Sequence, residues 1–349
     1  MNRLIVVFAI LVLGAACAPM DGQSFPVRYT YEKDADCPNF ISFEARDVKA
    51  GDECSWTFSD EPGKSYSGTS LVHYFPKAGS YEVTLHVRRD GKEGTHALKV
   101  GVASDSRYEK AGEHLLWADE FLGKSLDLKK WNYDLGTGQW GNNELENYTN
   151  APANSHLEDG KLIITAIKED DREAVGSYTS ARLTTQGKVE FHRGRVEVRA
   201  KMPSGKGTWA AIWMFGRHAA PSYSELDILE YVGCDKNIIY TTVHTTATLS
   251  EWVPKSTASK VVGDVETAFH VYGMNWEDEK IEFYLDSPDN VYLTFGKPAQ
   301  KGADYWPFDS DEYLILNLAV GGDWGGMRGI DNSIWPQSME VDYVRVFQK

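Results

Sequence analysis

The chain has 349 residues, including 11 Trp and 18 Tyr, and a formal net charge of −15. That length allows two domains and a sizeable core. The acidic balance and the lack of a basic cluster exclude the footprint nucleic acid requires and disfavour polyanionic partners, so a neutral partner is the easier fit.

The chain opens Met-Asn-Arg, followed by the almost wholly apolar Leu4 to Leu13 and then Gly14-Ala15-Ala16-Cys17. Such a run is too short to span a membrane and reads as a secretory leader over residues 1–18. Leu13-Gly14-Ala15-Ala16-Cys17 resembles a lipoprotein cleavage site, which would make Cys17 the acylated first residue. The alternative is ordinary cleavage after Ala18. The expected location is the outer membrane or cell surface as a lipoprotein, or else the periplasm or medium, with the membrane met only through that anchor. Export permits disulfides. Cys37 and Cys54 pair and leave Cys234 free, or all three are buried thiols; their spacing fits no zinc pattern.

Strand-like runs at Val27-Tyr31, Phe40-Ala45, Ser55-Phe58, His73-Phe75 and Tyr81-Val87 are separated by Gly, Asp and Pro. They predict a small sandwich over 24–102. Cys54-Ser55-Trp56-Thr57-Phe58-Ser59, His73-Tyr74-Phe75 and Ala78-Gly79-Ser80-Tyr81-Glu82-Val83-Thr84-Leu85 resemble the polycystic-kidney-disease-type, immunoglobulin-like module. Trp56 would be its core residue, and its expected job is that of a spacer. Polar residues 103–114 form a linker. The rest, 115–349, reads almost entirely as strands: Lys161-Ile167, Lys188-His192, Arg195-Lys201, Ala210-Phe215, Leu226-Val232, Ile238-His244, His270-Trp276, Lys280-Leu285, Leu314-Ala319 and Val341-Phe347. The expected fold is therefore all-β, a small immunoglobulin-like sandwich followed by a large β-jelly-roll sandwich with a concave cleft.

Ser224-Glu225-Leu226-Asp227-Ile228-Leu229-Glu230-Tyr231-Val232 embeds three carboxylates in a run suited to a buried strand. Glu225 and Asp227 share a face by the period of two, whereas Glu230 falls on the other. A β-bulge near Ile228-Leu229 would bring it back and leave Leu226 and one of that pair in the core. Three close carboxylates raise one another's pKa, so one should hold a proton and another can act as nucleophile or base. A separation of about 5 Å would suit a retaining glycosidase. A solvated acidic strand or a metal site is the other reading. Trp209 and Trp213, four apart, fall on one strand face and line a cleft or fill a core.

Around those acids, Tyr178-Thr179-Ser180-Ala181-Arg182-Leu183, Trp117-Ala118-Asp119-Glu120-Phe121, Gln139-Trp140-Gly141-Asn142-Asn143-Glu144-Leu145, Asn317-Leu318-Ala319-Val320-Gly321-Gly322 and Val341-Asp342-Tyr343-Val344-Arg345-Val346 follow in order. With them the whole of 115–349 resembles glycoside hydrolase family sixteen in its laminarinase-like branch, whose motif is Glu-x-Asp-x-x-Glu. The resemblance implies that Glu225 is the nucleophile, Glu230 the acid/base and Asp227 their modulator. It places Trp209, Trp213, Arg182 and Asn143 on the donor side of the cleft, His244 near the catalytic strand, and Trp140 and Trp324 as further cleft residues. It also implies a structural calcium held by Glu120, Asp342 and the Gly160 carbonyl, although a salt-bridged or solvated pair would read the same; no cofactor is expected for catalysis. Relatives often carry Trp-Pro five residues before the nucleophile; Ala220-Pro221 here removes a cleft-wall Trp. The implied activity is endo-hydrolysis of neutral β-1,3-glucan or mixed-linkage β-1,3/1,4-glucan. The alternatives are a non-catalytic glucan-binding surface protein and a family member acting on sulfated galactans.

Overall fold

The structure is a computed structural model that describes residues 25–34, 38–106, 112–216, 223–300 and 302–349. The leader with Cys17, Cys37, part of the linker and the Ala220-Pro221 pair lie outside the described residues. The chain divides into two compact units between His114 and Leu115.

The first unit is a sandwich. Arg28–Lys33, Phe40–Arg46 and Ser70–Tyr74 form one sheet; Tyr66–Ser67, Glu53–Phe58, Gly79–Arg89 and Lys92–Val102 form the other. Trp56 is fully buried among Tyr29, Phe43 and Phe58, and its indole donates to the Gly68 carbonyl at 2.8 Å. Strand Lys92–Val102 lacks an apolar alternation because Gly94 and His96 occupy inward positions. A Cβ at Gly94 would come within 2.6 Å of Val27, so only glycine allows that approach. Cys54 and Cys234 are free thiols; Cys37, the expected partner of Cys54, is outside the described residues.

The second unit is a jelly roll of two sheets. Along one, among the described residues, run Ser256–Val261, Ile238–Thr245, Ser224–Val232, Thr208–Gly216, Glu312–Val320, Arg182–Thr184 and Asn132–Asp134, with Glu190–Phe191 added beside Glu312–Val320. The other centres on Lys161–Lys168, Gln337–Gln348, Gly194–Lys201, His270–Trp276 and Lys280–Leu285. Both contribute to one core: Ile212, Met214, Leu226, Leu316 and Leu318 from the first, Ile164, Val196, Val198, Met274 and Val344 from the second. Burial of such side chains removes roughly 1.5–3 kcal/mol each of apolar exposure, which is the main force pressing the sheets together. The first sheet's other face is left for a cleft.

Candidate active site

The acidic strand is bulged. Against Thr208–Gly216, Leu229 lies opposite Ile212 and Asp227 opposite Trp213, so Ile228 is the extra residue. Against Ile238–Thr245, Asp227 faces Thr242 while Glu230 faces Tyr240, again one residue more on the acidic strand. The insertion returns Glu230 to the face of Glu225 and Asp227, and all three line one cleft of about 700 Å³. Leu226, Ile228, Leu229 and Tyr231 all enter the core, so the bulge buries both Ile228 and Leu229 where one was expected.

Neighbouring strands keep the strict period of two. Trp209, Ala211, Trp213 and Phe215 line the cleft, while Ala210, Ile212 and Met214 fill the core. Thr242 and His244 line it from the next strand, and Asn317 and Ala319 from the strand on the other side.

Within the cleft each acid has its own setting. Glu225 accepts a hydrogen bond at Oε2 from the Tyr223 hydroxyl, 2.6 Å away, and its Oε1 lies 3.7 Å from His244 Nε2. Burial, then the neighbouring Glu225, push the Tyr223 hydroxyl well up, so it stays a donor. Asp227 is buried, with Oδ2 3.2 Å from His244 Nε2. Burial first, then Glu225, hold its carboxyl well above the usual carboxylate range. Glu230 is held high as well, by burial and then by Asp227 and Glu225, while the Trp209 indole N–H, 3.2 Å from Oε1, works in the opposite direction. The strand thus presents two acids, Asp227 and Glu230, that bind their protons more tightly than usual, beside a carboxyl fixed by a tyrosine, the pairing that acid-assisted displacement needs.

One end of the cleft is built from aromatic rings. The Arg182 guanidinium lies between the indoles of Trp140 and Trp213, 4.8 and 4.7 Å from their centroids, and its Nε donates to Asp134 at 2.9 Å. The Trp213 indole donates to Asn317 Oδ1 at 2.8 Å, and Asn317 Nδ2 donates to the Tyr148 hydroxyl at 3.0 Å. Tyr148 in turn donates to Glu144, which lines the cleft. Trp140 sits in a tight turn with positive φ at Gln139, Trp140 and Asn143. Trp324 packs edge-on against Trp209 and Tyr240, at 5.6 and 4.9 Å. The next residue, Gly325, makes room: a Cβ there would lie 2.9 Å from Trp209 Cβ. Asn143 stands one step back, exposed, with its amide donating to Asp323 in the cleft wall at 3.0 Å.

Glu120 and Asp342 each meet an arginine. Glu120 receives two parallel hydrogen bonds from Arg345, both 2.9 Å, and Asp342 pairs with Arg199. Gly160, with φ of 72°, occupies a turn beside Leu122.

Sequence reasoning did not single out Tyr223, Asn317, Glu144 or Asp323. Tyr223 is two before Glu225 and thus on its face; Asn317 is the one polar residue of Leu314-Ile315-Leu316-Asn317-Leu318-Ala319. Both signals were readable. Glu144 and Asp323 come from loops, where no periodicity indicates direction.

Comparison with known proteins gives a consistent set of similarities. The profile of "Glycosyl hydrolases family 16" matches residues 142–345. A "Beta-glucanase" of Rhodothermus marinus is 42% identical over 250 residues, covering 67% of this chain and 85% of the relative. The X-ray structure of the laminarinase from Rhodothermus marinus superposes with a TM-score of 0.62 at 40% identity, over 68% of this chain and 97% of that one. SCLam, described as a non-specific endo-beta-1,3(4)-glucanase, superposes with a TM-score of 0.63 at 39% identity, over 69% and 92%.

Proposed function

The chain belongs to glycosyl hydrolases family 16, and from that membership we propose that it is an endo-β-glucanase cleaving β-1,3-glucan or mixed-linkage β-1,3/1,4-glucan with retention of configuration. That it is a glycoside hydrolase follows from the family and its relatives. The observation that carries the finer reading is the bulge, which turns Glu225, Asp227 and Glu230 into one cleft. In the proposed reaction Glu230 protonates the glycosidic oxygen while Glu225 attacks the anomeric carbon. The C–O bond to the leaving sugar breaks as the glycosyl ester to Glu225 forms. Glu230, now a carboxylate, takes a proton from water, whose oxygen displaces Glu225 and restores both groups. Asp227, whose pKa is raised by burial and by Glu225, stands beside Glu225 and tunes it.

A neutral polymer suits the cleft. Its wall carries Glu144, Glu225, Asp227, Glu230 and Asp323 against Arg182 and Lys255, and Arg182 is paired with Asp134. The net charge of −15 disfavours sulfated chains, which favours glucan over sulfated galactan. The half-buried indoles of Trp213 and Trp324 line the cleft, where apolar ring surface suits the C–H faces of sugar rings. The test is reducing-end release from laminarin, barley-type mixed-linkage glucan, carboxymethylcellulose, agarose and carrageenan. Cleavage confined to the β-1,3-containing glucans supports the proposal, with mixed-linkage polymer ahead of laminarin if the Ala220 position has opened the cleft. Cleavage of carrageenan or agarose alone would refute it. On the same reading the leader exports the chain with Cys17 as a lipid anchor, and the first sandwich is a spacer; palmitate labelling lost in Cys17→Ala checks the anchor.

A further inference from the structure

Among the described residues, one group of side chains has the makings of a metal site, and it stands in the cleft. A ligand atom from each of Glu225, Asp227 and His244 lies within 4.8 Å of the others. His244 Nε2 is 3.2 Å from Asp227 Oδ2 and 3.7 Å from Glu225 Oε1. These spacings match a chelate. Two ligands each at zinc's usual distance, at a tetrahedral angle, are about 3.4 Å apart.

A second observation points the same way. Asp227 Oδ2 belongs to a side chain only 6% exposed, faces His244, and yet accepts no hydrogen bond, because the ring is not aligned to donate to it. A buried carboxylate oxygen left without a donor is costly. His244 Nδ1 has no partner either. Nothing therefore fixes the tautomer that would put the ring proton on Nε2, and the Nε2 lone pair is available to the cluster.

We propose that Glu225, Asp227 and His244 bind one borderline divalent ion, Zn²⁺ or Cu²⁺, and that the bound ion reversibly inhibits the enzyme. The donor set is one imidazole with two carboxylates. It suits zinc and copper and not calcium or magnesium, which prefer oxygen alone. The open side of the cleft leaves further coordination positions to water. An ion on Glu225 takes the electron pair that would attack the sugar, so it competes with substrate. This inhibitory consequence rests on Glu225 being the nucleophile, as proposed above; the binding does not.

The experiment titrates the full-length protein with ZnCl2 by calorimetry, and with CoCl2 by absorption spectroscopy. One Zn²⁺ per chain is expected, with cobalt d–d bands and no sulfur-to-metal charge-transfer band, which separates the site from the thiols of Cys54 and Cys234. His244→Gln and Asp227→Asn should each weaken binding by at least about tenfold, as loss of a supporting group around a metal does. His270→Gln, at a histidine held between Asp264 and Asp286, should leave it unchanged. Thermal midpoints without metal identify any variant that has lost its fold, and wild-type laminarin hydrolysis in ZnCl2, with recovery in EDTA, provides a readout free of substitutions. Absence of saturable one-to-one binding, or binding that survives both His244→Gln and Asp227→Asn, overturns the inference. Glucan turnover unaffected by Zn²⁺ overturns it too and leaves the glucanase reading intact. A protein inactive on every glucan that still binds one Zn²⁺ through His244 overturns the glucanase reading and supports the metal site.

Discussion

Trp209→Phe separates the two jobs of one indole. The ring packs edge-on against Trp324, which a phenyl ring can continue to do, while the N–H donates to Glu230 Oε1 at 3.2 Å. That hydrogen bond favours the carboxylate of Glu230 and so lowers its pKa against the burial that raises it. Removing the donor removes the lowering contribution, and the pKa must rise. A hydrogen bond to a charged group is worth roughly 1.5–3 kcal/mol, and a contact of this length belongs at the lower end. With about 1.4 kcal/mol per pKa unit, the shift is about one unit upward. Because Glu230 interacts with Asp227 and Glu225, the limb reports the cluster, and one unit is the ceiling of what appears. The assay is the pH profile of kcat/KM on laminarin, whose alkaline limb marks loss of the proton from the general acid. The limb should move to higher pH, whatever happens to the height of the profile through lost sugar contact. An alkaline limb that stays in place, or moves to lower pH in a variant with wild-type thermal stability, would refute Glu230 as the acid.

Glu225→Ala should reduce glucan turnover to background while leaving glucan retention in affinity electrophoresis intact; normal turnover would remove Glu225 from the nucleophile's role. Glu120→Ala leaves Arg345, 1% exposed, without its bidentate partner, and should cost about 3–5 kcal/mol in denaturant unfolding. Glu312 is fully buried, and burial lifts its pKa to about 8 against the lowering effect of Ser224. Because it binds its proton more tightly folded than unfolded, it lowers stability as pH rises from its unfolded pKa towards 8, by on the order of a few kcal/mol. Glu312→Gln should flatten that part of the pH dependence in thermal unfolding between pH 5 and 8; an unchanged slope would contradict the buried neutral carboxyl.

The sheet that carries the site was legible because its strands are strictly binary. Period alone puts Trp209 and Trp213 on one face, leaving cleft or core open, and the structure puts that face on the cleft with Ile212 opposite in the core; the need for a bulge followed from placing three acids on one face. Edge strands were not legible. Ser256–Val261 reads Ser-Thr-Ala-Ser-Lys-Val, with only half-buried alternation, because an edge needs no apolar inner row. Arg182 was found through resemblance, but its seat between Trp140 and Trp213 depends on a turn with positive φ at Trp140, a backbone choice no spacing announces. Glu120 and Asp342 show the same limit: two acids in a suitable pattern read equally as ligands or as salt-bridge partners, and no spacing announces that Arg345 and Arg199 lie beside them.

The acids of this sheet tie stability and activity to one pH range. Asp227, Glu230 and Glu312 all sit above their ordinary pKa, and burial is the largest cause in each case. Each is therefore neutral when folded over a range in which the unfolded chain is ionised, so each contributes a loss of stability as pH rises through that range. Arginine-paired carboxylates have the opposite sign: Arg89 depresses Asp52 to about 2, a contribution present above the unfolded pKa and lost as pH falls towards that value. Such a contribution changes only below the unfolded carboxylate pKa, so the buried acids set the slope above pH 5. The same proton on Glu230 that the leaving sugar oxygen needs also removes a buried charge from beneath Trp209. Alkaline loss of activity and alkaline loss of stability then share a cause, and burying the acid strand deeper would raise the pKa of the catalytic acid only by steepening the decline in stability above neutral pH.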